Sequence, residues 1–375
     1  MDFVARNRPE ARRSTGKGRV TLTRIAEELK VSPMTVSNAY NRPDQLSKDL
    51  RERIFETARR LGYTGPDPVA RSLRRRKTNV VGVLYSNPLS YAFDDPAAVS
   101  FLGGLSAVTE EAGLGILLVP ASGGSPPAVR DPRAAAEAAV DGFVVYSMAD
   151  EEALVGAALG RNLPMVVVDQ PLREGVPFVG IDDEAAARVA AEHLLALGHK
   201  RFCVVSFGLS PDGREGMADV TRQTNATYRV SRLRLEGYAA ALKAAGLSWA
   251  EVPVYECAGS AKFFGRDATE VLLSLRPRPT AILALSDQLA LGAIEAAKER
   301  ELAVPEDVSV VGFDDVAPAE TSTPPLTTVH QDHAEKGLLA GRILTAQLCA
   351  EDGQNPELLP TRLVVRGSTA SPRNS

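Results

Sequence analysis

The 375-residue sequence predicts an α/β protein: a three-helix helix-turn-helix head, a short hinge helix, and a large body of parallel sheets arranged in two lobes. Three observations predict it. Residues 1–77 hold 19 Lys and Arg against 9 Asp and Glu, whereas the rest hold 24 against 38, so a net charge of −4 conceals a basic head on an acidic body. Such asymmetry is expected where one module alone meets a polyanion. Residues 20–61 repeat apolar side chains at helical spacing between capping residues. From Asn79 onward, short β-branched runs alternate with Ala- and Leu-rich stretches.

Residues 1–18 read as a basic tail without fixed structure, and 19–64 as the head. Thr21 or Thr23 can cap a first helix that places Leu22, Ile25, Ala26 and Leu29 on one face. Lys30-Val31-Ser32 then forms a turn with Val31 as its apolar pin. Ser32 is a good N-cap, and Pro33 suits the first helical position, where its missing N–H would be unpaired anyway. The second helix, Pro33–Tyr40, buries Val36 and Ala39 and turns Met34, Thr35, Ser37 and Asn38 outward. A third, about Ser47–Leu61, carries Leu50, Ile54, Phe55, Ala58 and Leu61 at core spacing. Capped turn, buried positions and polar outer face agree on a helix-turn-helix whose second helix enters a major groove.

The same residues carry a family resemblance. Val20, Thr21, Leu22, Ile25, Ala26, Val31, Ser32, Thr35, Val36, Ser37 and Asn41 fall on the pattern V-T-[IL]-x-x-[IV]-A-x-x-x-x-V-S-x-x-T-V-S-x-x-x-N. That pattern resembles the DNA-binding head of the lactose-repressor/galactose-repressor family of bacterial transcriptional regulators. The resemblance implies that Pro33, Met34 and Asn38 face base edges, and that Thr21, Ser32, Thr35, Ser37 and Asn41 hold phosphates. Two departures have consequences. Lys30 stands where relatives often have glycine, and a left-handed non-glycine residue costs about 1 kcal/mol. Pro33 and Met34 offer no hydrogen bonds to bases, which leaves Asn38 as the polar reader.

Residues 65–77 read as hinge helix and linker. Pro66, Asp67 and Pro68 break the third helix and can start another at Val69, where Val69, Ala70 and Leu73 form a small apolar edge. Leu73 either packs on the body or, as the resemblance of P-x-x-V-A-R-S-L to the family's hinge implies, wedges between base pairs in the minor groove with Ala70 beside it. Wedging costs a few kcal/mol of unstacking and gives a bent duplex with more protein contact. Arg71, Arg74, Arg75, Arg76 and Lys77 would make binding steeply salt-dependent.

In the body, strands are expected at Val80–Leu84, Ile116–Val119, Phe143–Tyr146, Met165–Asp169, Phe202–Ser206, Ala281–Leu285 and Val308–Gly312. Helices are expected at Ala97–Ala112, Glu151–Arg161, Asp183–Leu197, Leu235–Ala245, Asp287–Arg300 and His333–Ala350. Nearly 300 residues are too many for one sheet, and ligands of such sheets bind beyond the carboxyl ends of strands. Ser86, Asp169, Ser286, Asp287, Asp314 and Asp315 lie there. Asp183, Asp287 and Asp315 read equally well as helix caps. The phrases HLLALGHKRF, RLRLEGY, ALSDQLALGA, VPEDVSVVGFDD and PPLTTVHQD extend the resemblance over about residues 20–372.

The resemblance implies an effector domain at 78–375 with the periplasmic-binding-protein fold. Its N-lobe would comprise about 78–181 and 330–359, its C-lobe about 182–329 and 360–375. It also implies effector contacts at Ser86, Asp169, Arg234, Ser286, Asp314 and His333, a homodimer on a pseudo-palindromic operator, and release or recruitment of DNA by a sugar or related metabolite. Ser286, where sugar-responsive relatives often have asparagine, argues against a monosaccharide. Gly208–Tyr228 is a long polar insertion, either a lid or disordered. Tyr91 and Phe93 either roof the pocket or pack.

Other classes find little support. No G-x-G-x-x-G, G-x-S-x-G or P-loop motif is present, so no enzyme and no cofactor are expected. His330 and His333 lack further ligands for a metal, and His199 can serve the dipole at a helix end. Cys203, Cys257 and Cys349 suggest neither disulfide framework nor metal site. No run is apolar enough to span a membrane. Arginine-rich residues 1–20 without an apolar stretch point to the cytoplasm and away from an exported solute-binding protein.

Overall fold

The computed structural model describes residues 20–65, 77–86, 89–120, 131–351 and 357–373, with backbone alone at 89–91 and 357. The chain divides into two units, residues 1–77 and 78–375.

In the first unit, helices α1 (Leu22–Leu29), α2 (Pro33–Asn41) and α3 (Lys48–Leu61) enclose a core of Ile25, Ala26, Val36, Ala39, Ile54 and Ala58. Val31, Leu50, Phe55 and Leu61 pack around it, so the apolar spacing is used as expected. Lys30 adopts the left-handed conformation (φ 53°, ψ 41°) that ends α1, and Val31 N–H returns to the Ala26 carbonyl at 3.0 Å. The Ser32 hydroxyl accepts from Thr35 N–H at 3.0 Å, which fixes where α2 begins.

The second unit holds two sheets. Strands β1 (Val80–Tyr85), β2 (Gly115–Pro120), β3 (Gly142–Tyr146), β4 (Met165–Val168), β5 (Phe178–Ile181) and β12 (Glu357–Leu359) form the first, in the order β12-β5-β4-β3-β1-β2, all parallel. The second contains β6 (Phe202–Ser206), β7 (Gly216–Met217), β8 (Val254–Glu256), β9 (Ala281–Ala284), β10 (Ser309–Asp314), β11 (Thr327–His330) and β13 (Arg362–Val364). Its order is β13-β11-β10-β9-β6-β8-β7, antiparallel only at β13 and β7. Each sheet repeats one winding, with its order reversing between β1 and β3 in the first and between β6 and β9 in the second. Strands β3, β4, β6 and β9 are buried along their whole length, as expected of parallel strands covered on both faces.

The chain passes between the sheets three times. After Ile181 it enters helix Asp183–Ala196, which packs on the second sheet; after His330 it enters helix His333–Leu348, which packs on the first; between Leu359 and Arg362 it returns. Helix His333–Leu348 lies close against helix Pro96–Glu111. A Cβ added at Gly104 would sit 1.9 Å from the Ala334 carbonyl oxygen, so glycine is required for this approach. The crossing anchors the start of the 333 helix on the first lobe.

Several elements differ from expectation. Helix Arg229–Ala244 starts six residues earlier than the apolar spacing suggested, because Val230 and Ser231 are already buried. Strands β5, β8 and β11 are three or four residues long, too short to produce a periodic signal. The 208–228 insertion is folded, contrary to the disordered alternative. It adds β7 to the sheet edge and helix Val220–Thr224, and Arg222 ties it down through Asp212 (2.8 Å) and buried Glu256 (2.7 Å). His199 is not a helix-end cation: it is buried, with Nδ1 3.0 Å from the Thr280 hydroxyl and Nε2 2.9 Å from the Ala370 carbonyl. Among the described residues no helix is long and apolar enough to cross a membrane.

Candidate DNA-binding and effector sites

Most residues expected to face DNA lie on or beside α2. Met34 is 66% exposed, Pro33 is exposed beside it, and Asn38 is half-buried with its amide 3.5 Å from the Gln45 side chain. Gln45, from the turn after α2, was missed by the sequence pattern and steers Asn38. The Ser32 and Thr35 hydroxyls lie 2.8 Å apart, and Asn41 donates to the Ser37 carbonyl (2.9 Å) and hydroxyl (3.2 Å). These contacts hold the Ser32, Thr35, Ser37 and Asn41 side chains in place. Thr21 is exposed at the N-cap of α1 and makes no side-chain capping bond. Ala70 and Leu73 lie outside the described residues, as does the rest of the expected hinge helix.

In the second unit, the expected effector positions gather at strand ends. Ser86, after β1, donates to the Ser147 carbonyl beyond β3 at 3.1 Å, across the point where the strand order reverses. Asp169 and Asp314 close β4 and β10 with positive φ of 64° and 118°, a strained backbone of the kind retained at functional sites. Arg234 is buried. Its Nε donates to Asp183 Oδ1 (2.9 Å), Nη1 donates to the Leu285 carbonyl (2.6 Å), and the guanidinium lies 3.6 Å from the Phe313 ring centroid. Burial works against its charge, but Asp183 and Asp314 push the guanidinium pKa up. Burial raises the Asp183 carboxyl even against this partner, the cost of holding an ion pair in a dry place.

Of the three ambiguous aspartates, none is the helix cap it resembled. Asp182 caps the helix at 183, and Ser286 caps the helix at 287 by accepting from Leu289 N–H at 3.3 Å. Asp287 is an internal brace that accepts from the Thr328 hydroxyl (2.5 Å) and Val316 N–H (2.9 Å). Asp315 pairs with Arg366 (2.7 Å) and His330 (2.9 Å).

Three residues of the cluster were not anticipated, Asp95, Gln331 and Lys336; Asp183, read as either a cap or a ligand contact, is instead the partner of Arg234. Lys336 is fully buried and donates to Asp169 Oδ1 and Gln331 Oε1, both at 2.5 Å; Gln331 in turn donates to Asp314 Oδ1 at 2.6 Å. A continuous polar chain thus joins the end of β4 in one lobe to the end of β10 in the other, through the second crossover. His333 Nε2 lies 3.5 Å from Asp314 Oδ1, and both buried ring nitrogens lack a hydrogen-bond partner. His333 and Arg234 hold the Asp314 carboxyl below its usual range despite burial. Asp95 precedes helix Pro96–Glu111 and accepts from Ala97 N–H at 3.1 Å; burial and the charge of Asp314 push it up to about 6. Asp-Pro before an apolar helix was the available signal for Asp95, and helical spacing from His333 the signal for Lys336. Phe93 is exposed, and the Tyr91 side chain lies outside the described residues.

The end of the insertion and the start of helix Arg229–Ala244 both reach the N-lobe. Asp150 N–H donates to the Thr227 carbonyl at 3.1 Å, and Val230 N–H donates to Gln170 Oε1 at 2.8 Å.

A periplasmic binding protein-like domain family matches residues 191–369. The HTH-type transcriptional regulator Rv3575c of Mycobacterium tuberculosis is 45% identical over 362 residues, 96% of this chain and 99% of that protein. A transcriptional regulator of the LacI family from Corynebacterium glutamicum is 35% identical, with a TM-score of 0.70 over 95% of this chain and 99% of its own. The lac repressor dimer bound to operator and the anti-inducer ONPF is 25% identical, with a TM-score of 0.72 over 94% and 99% of the two chains.

Proposed function

The chain belongs to the lactose-repressor/galactose-repressor family of transcriptional regulators, and from that premise we propose a cytoplasmic, non-enzymatic repressor whose homodimer grips a pseudo-palindromic operator until an effector intervenes. The effector is a sugar or related metabolite held between the lobes. The observation that carries this reading is the Asp169–Lys336–Gln331–Asp314 chain, which strings polar groups of both lobes across one crossover. A ligand seated among these strand ends favours one lobe arrangement over another, and that difference in affinity is what shifts the DNA-bound population. A coupling of about 1–3 kcal/mol, or 5- to 150-fold in operator affinity, is the usual scale.

In this reading Pro33, Met34 and Asn38 face bases, and Thr21, Ser32, Thr35, Ser37 and Asn41 face phosphates. Ala70 and Leu73 enter the minor groove. Ser86, Asp169, Arg234, Ser286, Asp314 and His333 surround the effector, Arg234 and Ser286 mainly by shaping the C-lobe wall. With Met34 so exposed and only Asn38 polar, base readout by α2 is thin, and the hinge carries a large share of specificity.

The test is operator selection from a random DNA library, followed by fluorescence anisotropy across a salt series. Salt-dependent, sequence-selective binding supports the reading; affinity indifferent to salt and sequence refutes it. Leu73→Ala is expected to weaken the selected operator at least tenfold more than random DNA. Equal losses on both would rule out wedging.

A further inference from the structure

Helix Arg229–Ala244 carries Arg234 yet supplies no side-chain cap of its own. Its leading N–H groups have no carbonyl within the helix to meet, as at any helix start. The long helices beginning at 183, 287 and 333 solve this locally: Asp182, Ser286 and Asp332, each one residue ahead, accept from the first turn. Tyr228 stands at the same place before the 229 helix and makes no side-chain capping bond. The acceptor comes instead from the other lobe. Gln170, buried beyond β4, takes Val230 N–H onto its Oε1 at 2.8 Å, across 60 residues of sequence.

Gln170 is itself held on the N-lobe side. Its carbonyl accepts from Met148 N–H at 3.1 Å, and its Nε2 donates to the Ser147 hydroxyl at 3.3 Å, both in the loop after β3. The same loop receives the neck of the insertion: Asp150 N–H donates to the Thr227 carbonyl at 3.1 Å, and Arg232 Nη1 lies 3.8 Å from Asp150 Oδ2. The Arg229 guanidinium lies 5.8 Å from the ring centroid of Phe178 in β5. On the C-lobe side, Tyr228 N–H donates to the Leu209 carbonyl (3.0 Å) and the Ser231 hydroxyl to the Gly208 carbonyl (2.9 Å). Residues 227–232 are therefore fastened to both lobes. None of these contacts between lobes uses a residue expected to hold the effector.

We propose that Gln170 is a helix cap supplied by the N-lobe, which keeps the first turn of the Arg234-bearing helix ordered only while the lobes keep this arrangement. Parting the lobes withdraws Oε1, and the turn from Arg229 to Arg232 loses this acceptor and frays. Order at the helix start and the angle between lobes then form one equilibrium. The consequence for DNA rests on the repressor reading above: with the operator gripped in the effector-free arrangement, loosening the cap weakens operator binding.

The test is hydrogen exchange by mass spectrometry on the full-length wild type, Gln170→Leu and Gln170→Glu. Leucine fills the buried space but cannot accept, whereas glutamate keeps an acceptor for Val230 in either protonation state. Peptides covering 229–233 are expected to exchange about tenfold faster in Gln170→Leu and to return within about threefold of wild type in Gln170→Glu, with the helix at 183–196 unchanged in both. Affinity for the operator selected by wild type is expected to fall about 5- to 10-fold in Gln170→Leu and to recover in Gln170→Glu. Unchanged exchange at 229–233 in Gln170→Leu overturns the proposal. So does equal acceleration in both variants across both helices, which would make Gln170 a general packing residue. Faster exchange at 229–233 with operator affinity unchanged overturns the coupling of the cap to DNA binding. If wild type itself selects no operator, the repressor reading fails instead, and the exchange arm still decides the cap.

Discussion

Replacing Asp95 by asparagine keeps the oxygen that caps helix Pro96–Glu111 and removes a charge the fold tolerates at a cost. The folded carboxyl titrates near 6 against 3.8 when unperturbed, because burial and Asp314 oppose its ionisation. At about 1.36 kcal/mol per pKa unit, that displacement corresponds to a ceiling of roughly 3 kcal/mol of destabilisation at neutral pH. The side chain is half-buried rather than sealed, and an asparagine amide brings its own need for a partner. A net gain of about 1–2 kcal/mol is therefore expected, or a few degrees in Tm for a domain this size. The sign is fixed by linkage. The folded state binds the proton more tightly than the unfolded chain, so wild-type stability is full below about pH 4 and is lost as pH rises through 6. Asp95→Asn should accordingly unfold at higher denaturant than wild type at pH 7.5, and the two should converge near pH 4. A difference that did not change with pH, or a variant less stable than wild type at pH 7.5, would refute the reasoning.

Three further outcomes follow from the geometry. Lys336→Met leaves Asp169 buried without its ammonium partner and should cost about 3–5 kcal/mol by denaturant titration; a loss under 1 kcal/mol would mean the polar chain is not a structural link. Lys30→Gly relieves the left-handed turn of the head and should stabilise it by about 0.5–1 kcal/mol in a calorimetric scan, whereas destabilisation would show that the lysine side chain matters more than its backbone. Gly104→Val forces a side chain into the Ala334 carbonyl and should destabilise the body by about 3 kcal/mol or more, read from its denaturant midpoint; a near-neutral result would mean the two helices can separate freely.

The head was legible in the sequence nearly residue by residue. Capping hydroxyls, Pro33 and apolar spacing act over three or four positions, so they determine α1, α2 and α3 and even the left-handed Lys30 before any tertiary contact forms. Long strands and helices of the body were legible for the same reason, and short strands such as Val254–Glu256 were not, because three residues carry no period. At the effector cleft the sequence supplied position without partnership. It placed Asp169 and Asp314 at strand ends, and the family resemblance added Arg234 and His333, yet only the fold decided that Asp183 captures Arg234 and that Lys336, 167 residues from Asp169, neutralises it. Those pairings depend on two sheets, three crossovers and the glycine-permitted approach at Gly104. What remains after they form is an acidic strand end at Asp314, approached by Arg234, Gln331 and His333. Local sequence fixes local backbone, whereas the net charge of a cleft is a sum over distant residues that only tertiary structure brings together.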